Sequence, residues 1–226
     1  MHVAMLLFPD LTQLDLTGPY EVLARLPDTT VHLVAKTREP VRSEFGLALL
    51  PTATFEDCPT AIDLLFVPGG VGQIAATDDA ATLAWLRRTG DGARWITSAC
   101  TGSLLLGAAG LLKGYRATSH WSCVDLLPLV GATPVPDERV VIDRNRITGG
   151  GVTAGIDAAL AIAAEIAGRE TAERIQLMIE YDPHPPFSAG HPRSAPPAVL
   201  AAASQGLLAD RHAKRAAQLK ALGLAA

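Results

Sequence analysis

Arg94-Trp-Ile-Thr-Ser-Ala-Cys100-Thr-Gly-Ser-Leu-Leu105 is a short apolar run, a break at a cysteine, and the start of a second apolar run of helical period. It reads as a strand over Arg94 to Ser98, a sharp turn at Cys100, and a helix beginning near Thr101. A side chain on such a turn projects at the carboxyl edge of a sheet, where the helix start supplies unpaired N–H groups and partial positive charge. Both effects favour a thiolate, so Cys100 is expected to be largely ionised at neutral pH. Ala99 and Gly102 are small enough to relieve crowding there. A buried structural thiol is the other reading of a lone cysteine in an apolar stretch.

Outward from this segment, short Val/Ile/Leu-rich runs alternate with amphipathic stretches, which predicts an α/β fold with a doubly wound, mostly parallel sheet and helices on both faces. The expected strands are His2–Phe8, Thr30–Lys36 and Asp63–Val67, with short ones at Arg116–Ser119 and Val135 flanking a helix over Trp121–Leu129. Thr17-Gly18-Pro19 is expected to open a helix toward Arg25, with Thr17 as its cap. Further helices are expected at Asp79–Arg88, Ala154–Ala167 and Glu170–Tyr181, an irregular hairpin between Val41 and Thr54, and a tighter one around Arg144-Asn145. Gly149-Gly150-Gly151 serves either a tight strand-to-helix turn or a hinge.

Asp182–Pro197 holds six prolines and reads as an extended connector. Beyond it, a helix pair interrupted at Gly206 carries Arg211, Lys214, Arg215 and Lys220, expected to form a solvated basic face. One α/β domain over residues 1–197, with 198–226 as its C-terminal helical extension, is the expected organisation.

The 226 residues are 49% hydrophobic and 19% charged, enough for a sizeable core. No basic segment precedes the first apolar run, and Leu104–Leu112 falls well short of the roughly 20 residues that span a bilayer. A net charge of −4 with dispersed arginines gives no footprint for nucleic acid. Three cysteines make no disulfide framework, so a reducing cytoplasm is expected. The six histidines are scattered without metal-ligand spacing, and Gly69-Gly70-Val71-Gly72 lacks a phosphate-loop lysine. No metal or cofactor is expected; a small neutral substrate is.

Two further segments belong to the same sheet edge. Asp15 follows the first strand, flanked by Leu14 and Leu16, an apolar setting that would raise its pKa and let it share a proton with sulfur. A cap or turn aspartate is the plainer reading. Gly69-Gly70 follows the Asp63–Val67 strand, where backbone N–H groups without side chains can approach a bound atom as an oxyanion hole does. A plain tight turn is the alternative. Cys58 and Cys123 read as structural.

Leu-Asp-Leu-Thr-Gly-Pro at 14–19, Phe-Val-Pro-Gly-Gly at 66–70, Ser-Ala-Cys-Thr-Gly at 98–102, Ala-Thr-Ser-His-Trp at 117–121 and Thr-Gly-Gly-Gly-Val-Thr-Ala-Gly-Ile-Asp at 148–157 together resemble the ThiJ/PfpI superfamily, with its flavodoxin-like, class I glutamine-amidotransferase-like fold. The resemblance runs from Met1 to about Pro197. Members include proteases, glyoxalases, chaperone-like proteins, regulators and hydratases, so fold alone does not fix activity. Thr101 stands where the protease-like branch places a catalytic histidine. Asp15 stands where glyoxalase and stress-protein branches have glutamate, and the Asp-Leu-Thr-Gly-Pro run is similar to the isonitrile hydratases. The resemblance therefore implies isonitrile hydration, with Cys100 as nucleophile, Asp15 as acid and base, and Gly69, Gly70 and Thr101 about the substrate. It also implies a homodimer. His120 resembles a position used by glyoxalase-like members, but Ser-His-Trp recurs in the hydratase and regulator branches. Regulators sharing these motifs continue into DNA-binding units, for which Ala198–Ala226 is short. A glyoxalase, a redox sensor oxidised at Cys100, or a regulator-type domain without its DNA-binding region is the rival expectation.

Overall fold

The structure, a computed structural model, describes residues 1–224. Its strands are β1 (His2–Leu6), β2 (Thr30–Ala35), β3 (Val41–Arg42), β4 (Ala48–Leu49), β5 (Ala53–Thr54), β6 (Leu64–Val67), β7 (Trp95–Ala99), β8 (Arg116–Ala117), β9 (Thr133–Pro134), β10 (Val140–Asp143) and β11 (Arg146–Gly149). Seven of them form one sheet in the order β10-β11-β7-β6-β1-β2-β5, parallel throughout except for the β10–β11 hairpin. The central strands carry long apolar runs because both faces are covered: Val3 to Leu6 and Leu64 to Val67 are fully buried.

The helices are α1 (Gln13–Leu23), α2 (Gln73–Asp78), α3 (Ala80–Gly92), α4 (Gly102–Ala108), α5 (Ala154–Ala167), α6 (Arg169–Met178), α7 (Pro197–Ser204) and α8 (Leu207–Ala221). Two groups flank the sheet, α1 with α5 and α6, and α2 with α3, α4 and α8. The α1–α5 contact is close because glycines meet it. A Cβ on Gly155 would lie 3.0 Å from Pro19 Cγ, and one on Gly18 2.9 Å from Ile156 Cγ1.

Several expected boundaries move. Helix α1 begins at Gln13, not at Thr17, so Pro19 lies inside it and Asp15 sits in its first turn. Pro19 lacks an N–H, which leaves the Asp15 carbonyl without its helical donor. Thr17 caps nothing; its hydroxyl donates to Gln13 Oε1 at 2.8 Å. The segment expected as a helix over Trp121–Leu129 is a 3-10 helix, Val124–Val130, with Pro128 inside. Helix α2 and edge strand β5 escaped the sequence pattern, being only six and two residues long.

The expected solvated basic face of the last helix is only half correct. Lys214 and Lys220 are exposed, but Arg215 is 4% exposed, and Arg211 is part-buried against Glu44 at 3.0 Å. Among the described residues no helix is long and apolar enough to cross a membrane.

Candidate active site

Strands β7, β6 and β1 are neighbours, so the segments that follow them share one edge. They deliver Cys100, Gly69-Gly70 and Asp15 respectively. Cys100 has φ +55, a left-handed conformation that a side chain normally avoids. The turn is held from outside: its N–H donates to the carbonyls of Gly150 (2.7 Å) and Gly149 (3.1 Å), and its carbonyl accepts from Ser103 and Ser119 hydroxyls, each at 3.1 Å. A strained residue braced by four neighbours is a device for aiming a side chain.

Asp15 is fully buried. Its Oδ2 accepts the Gly69 N–H at 2.9 Å, while Oδ1 has no hydrogen-bond partner among the described residues. The Asp15 carboxyl and the Cys100 thiol lie close enough to shift each other's titration. Burial, opposed by the Gly69 N–H and Cys100, pushes Asp15 up to about 7. Burial and then the neighbouring carboxylate push the Cys100 thiol well above its usual value, against the Thr101 N–H. The expected resting thiolate is thereby corrected. The apolar surround and the adjacent aspartate outweigh the helix start, and the pair is best described as two groups titrating together over one shared proton.

The glycine turn also differs from expectation. The Gly69 N–H is engaged by Asp15, and the Gly70 N–H by the Thr101 hydroxyl at 3.1 Å, so neither is a free donor to a bound atom. The turn instead orients the acid and the threonine. Gly69 is required by space: a Cβ there would lie 2.5 Å from the Thr101 nitrogen and 2.8 Å from Asp15 Oδ2. Gly69→Ala is expected to lower turnover at least about 100-fold by displacing the carboxyl, since small misplacements of reacting groups carry penalties of that order. Steady-state kinetics on purified, folded variant checks it.

Cys100 opens into a cavity of about 160 Å³, bounded also by Thr101, Gly70, His120, Leu208 and Arg215. Larger cavities of about 430 and 700 Å³ lie beside Trp121 and beside Lys36, but neither is lined by a cysteine. The smaller one holds the Cys100 thiol, and chemistry rather than size selects it. His120 faces it as a neutral imidazole. Burial, and then the Arg215 charge, bring it down to about 4, and its Nδ1 lies 2.8 Å from the Ser122 hydroxyl. Arg211, Arg215 and Leu208, all from α8, were not foreseen as site residues, nor was Glu44 from the β3–β4 turn. No cluster of three or more metal-binding side chains occurs among the described residues.

Fold and site together define a class, an α/β domain with a strained, buried cysteine set against an aspartate at the carboxyl edge of its sheet. The chain belongs to the DJ-1/PfpI family, whose model matches residues 1–165. It is 56% identical to the isonitrile hydratase of Pseudomonas putida over 200 residues, covering 88% of this chain and 87% of that protein. A crystal structure of a ThiJ/PfpI family protein from Pseudomonas syringae superposes with a TM-score of 0.94 at 51% identity, covering 96% of this chain and 90% of that one. The HTH-type transcriptional regulator GbdR of Pseudomonas aeruginosa is 33% identical over 153 residues, 67% of this chain but 41% of the regulator.

Proposed function

We propose that the chain is an isonitrile hydratase, a lyase that adds water to R–N≡C and releases an N-substituted formamide. The observation that carries this is its 56% identity to the Pseudomonas putida isonitrile hydratase across nearly the full length of both chains. The paired Asp15 and Cys100 beside a cavity of about 160 Å³ suit the chemistry, because the reacting group is linear, neutral and small.

In the mechanism, ionised Asp15 accepts the Cys100 S–H proton as sulfur bonds to the terminal carbon. Asp15 then gives that proton to the carbon, forming a thioimidate, Cys100-S–CH=N–R. Water adds to the same carbon while Asp15 takes one of its protons and passes it to the imine nitrogen, leaving the other on the new hydroxyl for the departing sulfur. The C–S bond breaks, sulfur leaves with a proton, and R–NH–CHO departs. Thr101, its hydroxyl fixed by both the N–H and the carbonyl of Gly70, bounds the cavity beside the sulfur. Gly69 holds the acid, and neutral His120 forms a wall rather than an acid. The substrate is a small molecule, and we place the enzyme in the cytoplasm as a homodimer. We treat residues 198–226 as an extension of the 1–197 domain, which the entry of α8 side chains into the cavity supports.

A panel of alkyl and aryl isocyanides followed for formamide tests the proposal. Catalytic formamide release is expected for compact substituents. Its absence across the panel, with intact protein, would reject the reading.

A further inference from the structure

Arg215 is a buried guanidinium in an unusual position. It projects from α8, 142 residues along the chain from the Gln73 side chain it meets, and takes its bonds from three elements. Nε donates to Gln73 Oε1 at 2.8 Å, one terminal nitrogen to the Gly70 carbonyl at 3.1 Å, and the other lies 3.7 Å from Cys123 Sγ. None of these partners is a carboxylate. Removing a cation from water without an opposite charge is costly, and interiors retain such groups where they fix a unique arrangement.

The arrangement it fixes is the glycine turn. The Gly70 carbonyl that Arg215 holds also accepts the Thr101 hydroxyl at 3.3 Å, the preceding peptide donates the Gly70 N–H to the same hydroxyl, and the peptide before that presents the Gly69 N–H to Asp15. Gln73, fully buried, is itself tied down, its Nε2 donating to Thr77 at 2.8 Å. From this geometry we infer that Arg215 is a positioning residue: it clamps the Gly69–Gly70 turn from the C-terminal helix and so sets the Asp15 carboxyl and the Thr101 hydroxyl against Cys100. Helix α8 is thus a working part of the site. The inference rests on the hydratase reading only for its turnover arm.

A hydrogen bond to a carboxylate favours the ionised form, so loosening the Gly69 N–H raises the pH at which Asp15 ionises and becomes able to take the Cys100 proton, the step that the alkylation midpoint reads. Arg215→Met and Gln73→Leu separate this role from bulk stability. The first removes the clamp; the second removes its anchor on α2 and leaves α8 unaltered. The rate of Cys100 alkylation by iodoacetamide, read by mass spectrometry of the Cys100 peptide, is measured against pH beside kcat and KM for an isocyanide. The alkylation midpoint is expected to rise by at least about half a pH unit in both variants, with kcat falling tenfold or more and KM changing less than threefold. Arg215→Lys, which keeps one donor for the Gly70 carbonyl, is expected to fall between Met and wild type. If either soluble variant keeps the wild-type alkylation midpoint and kcat, the clamp is refuted. If alkylation shifts as expected while no isocyanide is turned over by wild type, the clamp stands and the hydratase reading fails.

Discussion

Cys100→Ala is expected to abolish formamide production, with turnover falling at least about 10,000-fold, because no other group on the cavity wall can form the bond to carbon that divides hydration into two easier steps. The cavity contains one thiol, Cys100, held at φ +55 by hydrogen bonds that do not involve its side chain. Alanine keeps the conformation and the packing nearly intact, so stability is expected to change by no more than about 1 kcal/mol. Serine should be almost as inactive, since its hydroxyl is a far weaker nucleophile beside a base of pKa about 7. Wild-type enzyme quenched during turnover should carry a mass increment equal to the isocyanide, and Cys100→Ala none. Turnover at the wild-type rate by the alanine variant would end the mechanism.

How this site could be anticipated, and where it could not, follows from what sequence encodes locally. Cys100 and Gly69 come within two residues of a buried strand's end, Asp15 lies in the first turn of the helix that follows β1, and parallel strands put all such segments on one edge. Their convergence was therefore legible before their contacts were. The direction of the thiol's titration was not, because burial depends on what lies over the turn from distant segments. Arg215 shows the same limit more sharply. Leu208, Arg211, Arg215 and Leu219 fall at intervals of three and four residues, the stripe a helix turns inward, and two arginines within that stripe were the available signal. Charge type alone puts Arg211, Lys214, Arg215 and Lys220 together in solvent, whereas position on the helix separates the two arginines from the two lysines. Lys214 and Lys220, off the stripe, are exposed as charge type predicts.

Asp15→Asn carries two expected effects of opposite value. Without a carboxylate to take the thiol proton, turnover should drop about 100- to 10,000-fold, the range general acid–base catalysis contributes. In wild type, kcat/KM should rise with pH through an apparent pKa near 7 as the pair loses its second proton, and this limb should vanish in the variant. The same substitution should stabilise the fold. The Asp15 carboxyl titrates at about 7 in the folded protein against 3.8 as its reference value. Between those values the folded state binds more protons than the unfolded one, so stability falls as pH rises through the window and stays reduced above it. The difference corresponds to a ceiling of about 4 kcal/mol above pH 7, of which about 2 kcal/mol is already present at pH 5. Asparagine retains an acceptor for the Gly69 N–H and carries no charge, so it escapes this loss. Chemical denaturation at pH 5 and pH 8 should therefore show Asp15→Asn more stable than wild type, with a gap roughly 2–3 kcal/mol wider at pH 8. A gap that is constant with pH would mean Asp15 is ionised at pH 5 in the folded enzyme, and that the proton shared with Cys100 resides on sulfur alone. The proposed mechanism gives a reason for a buried carboxyl that weakens the fold at working pH: a group poised near neutrality is the one suited to accept the thiol proton, return it to carbon, and then relay another from water.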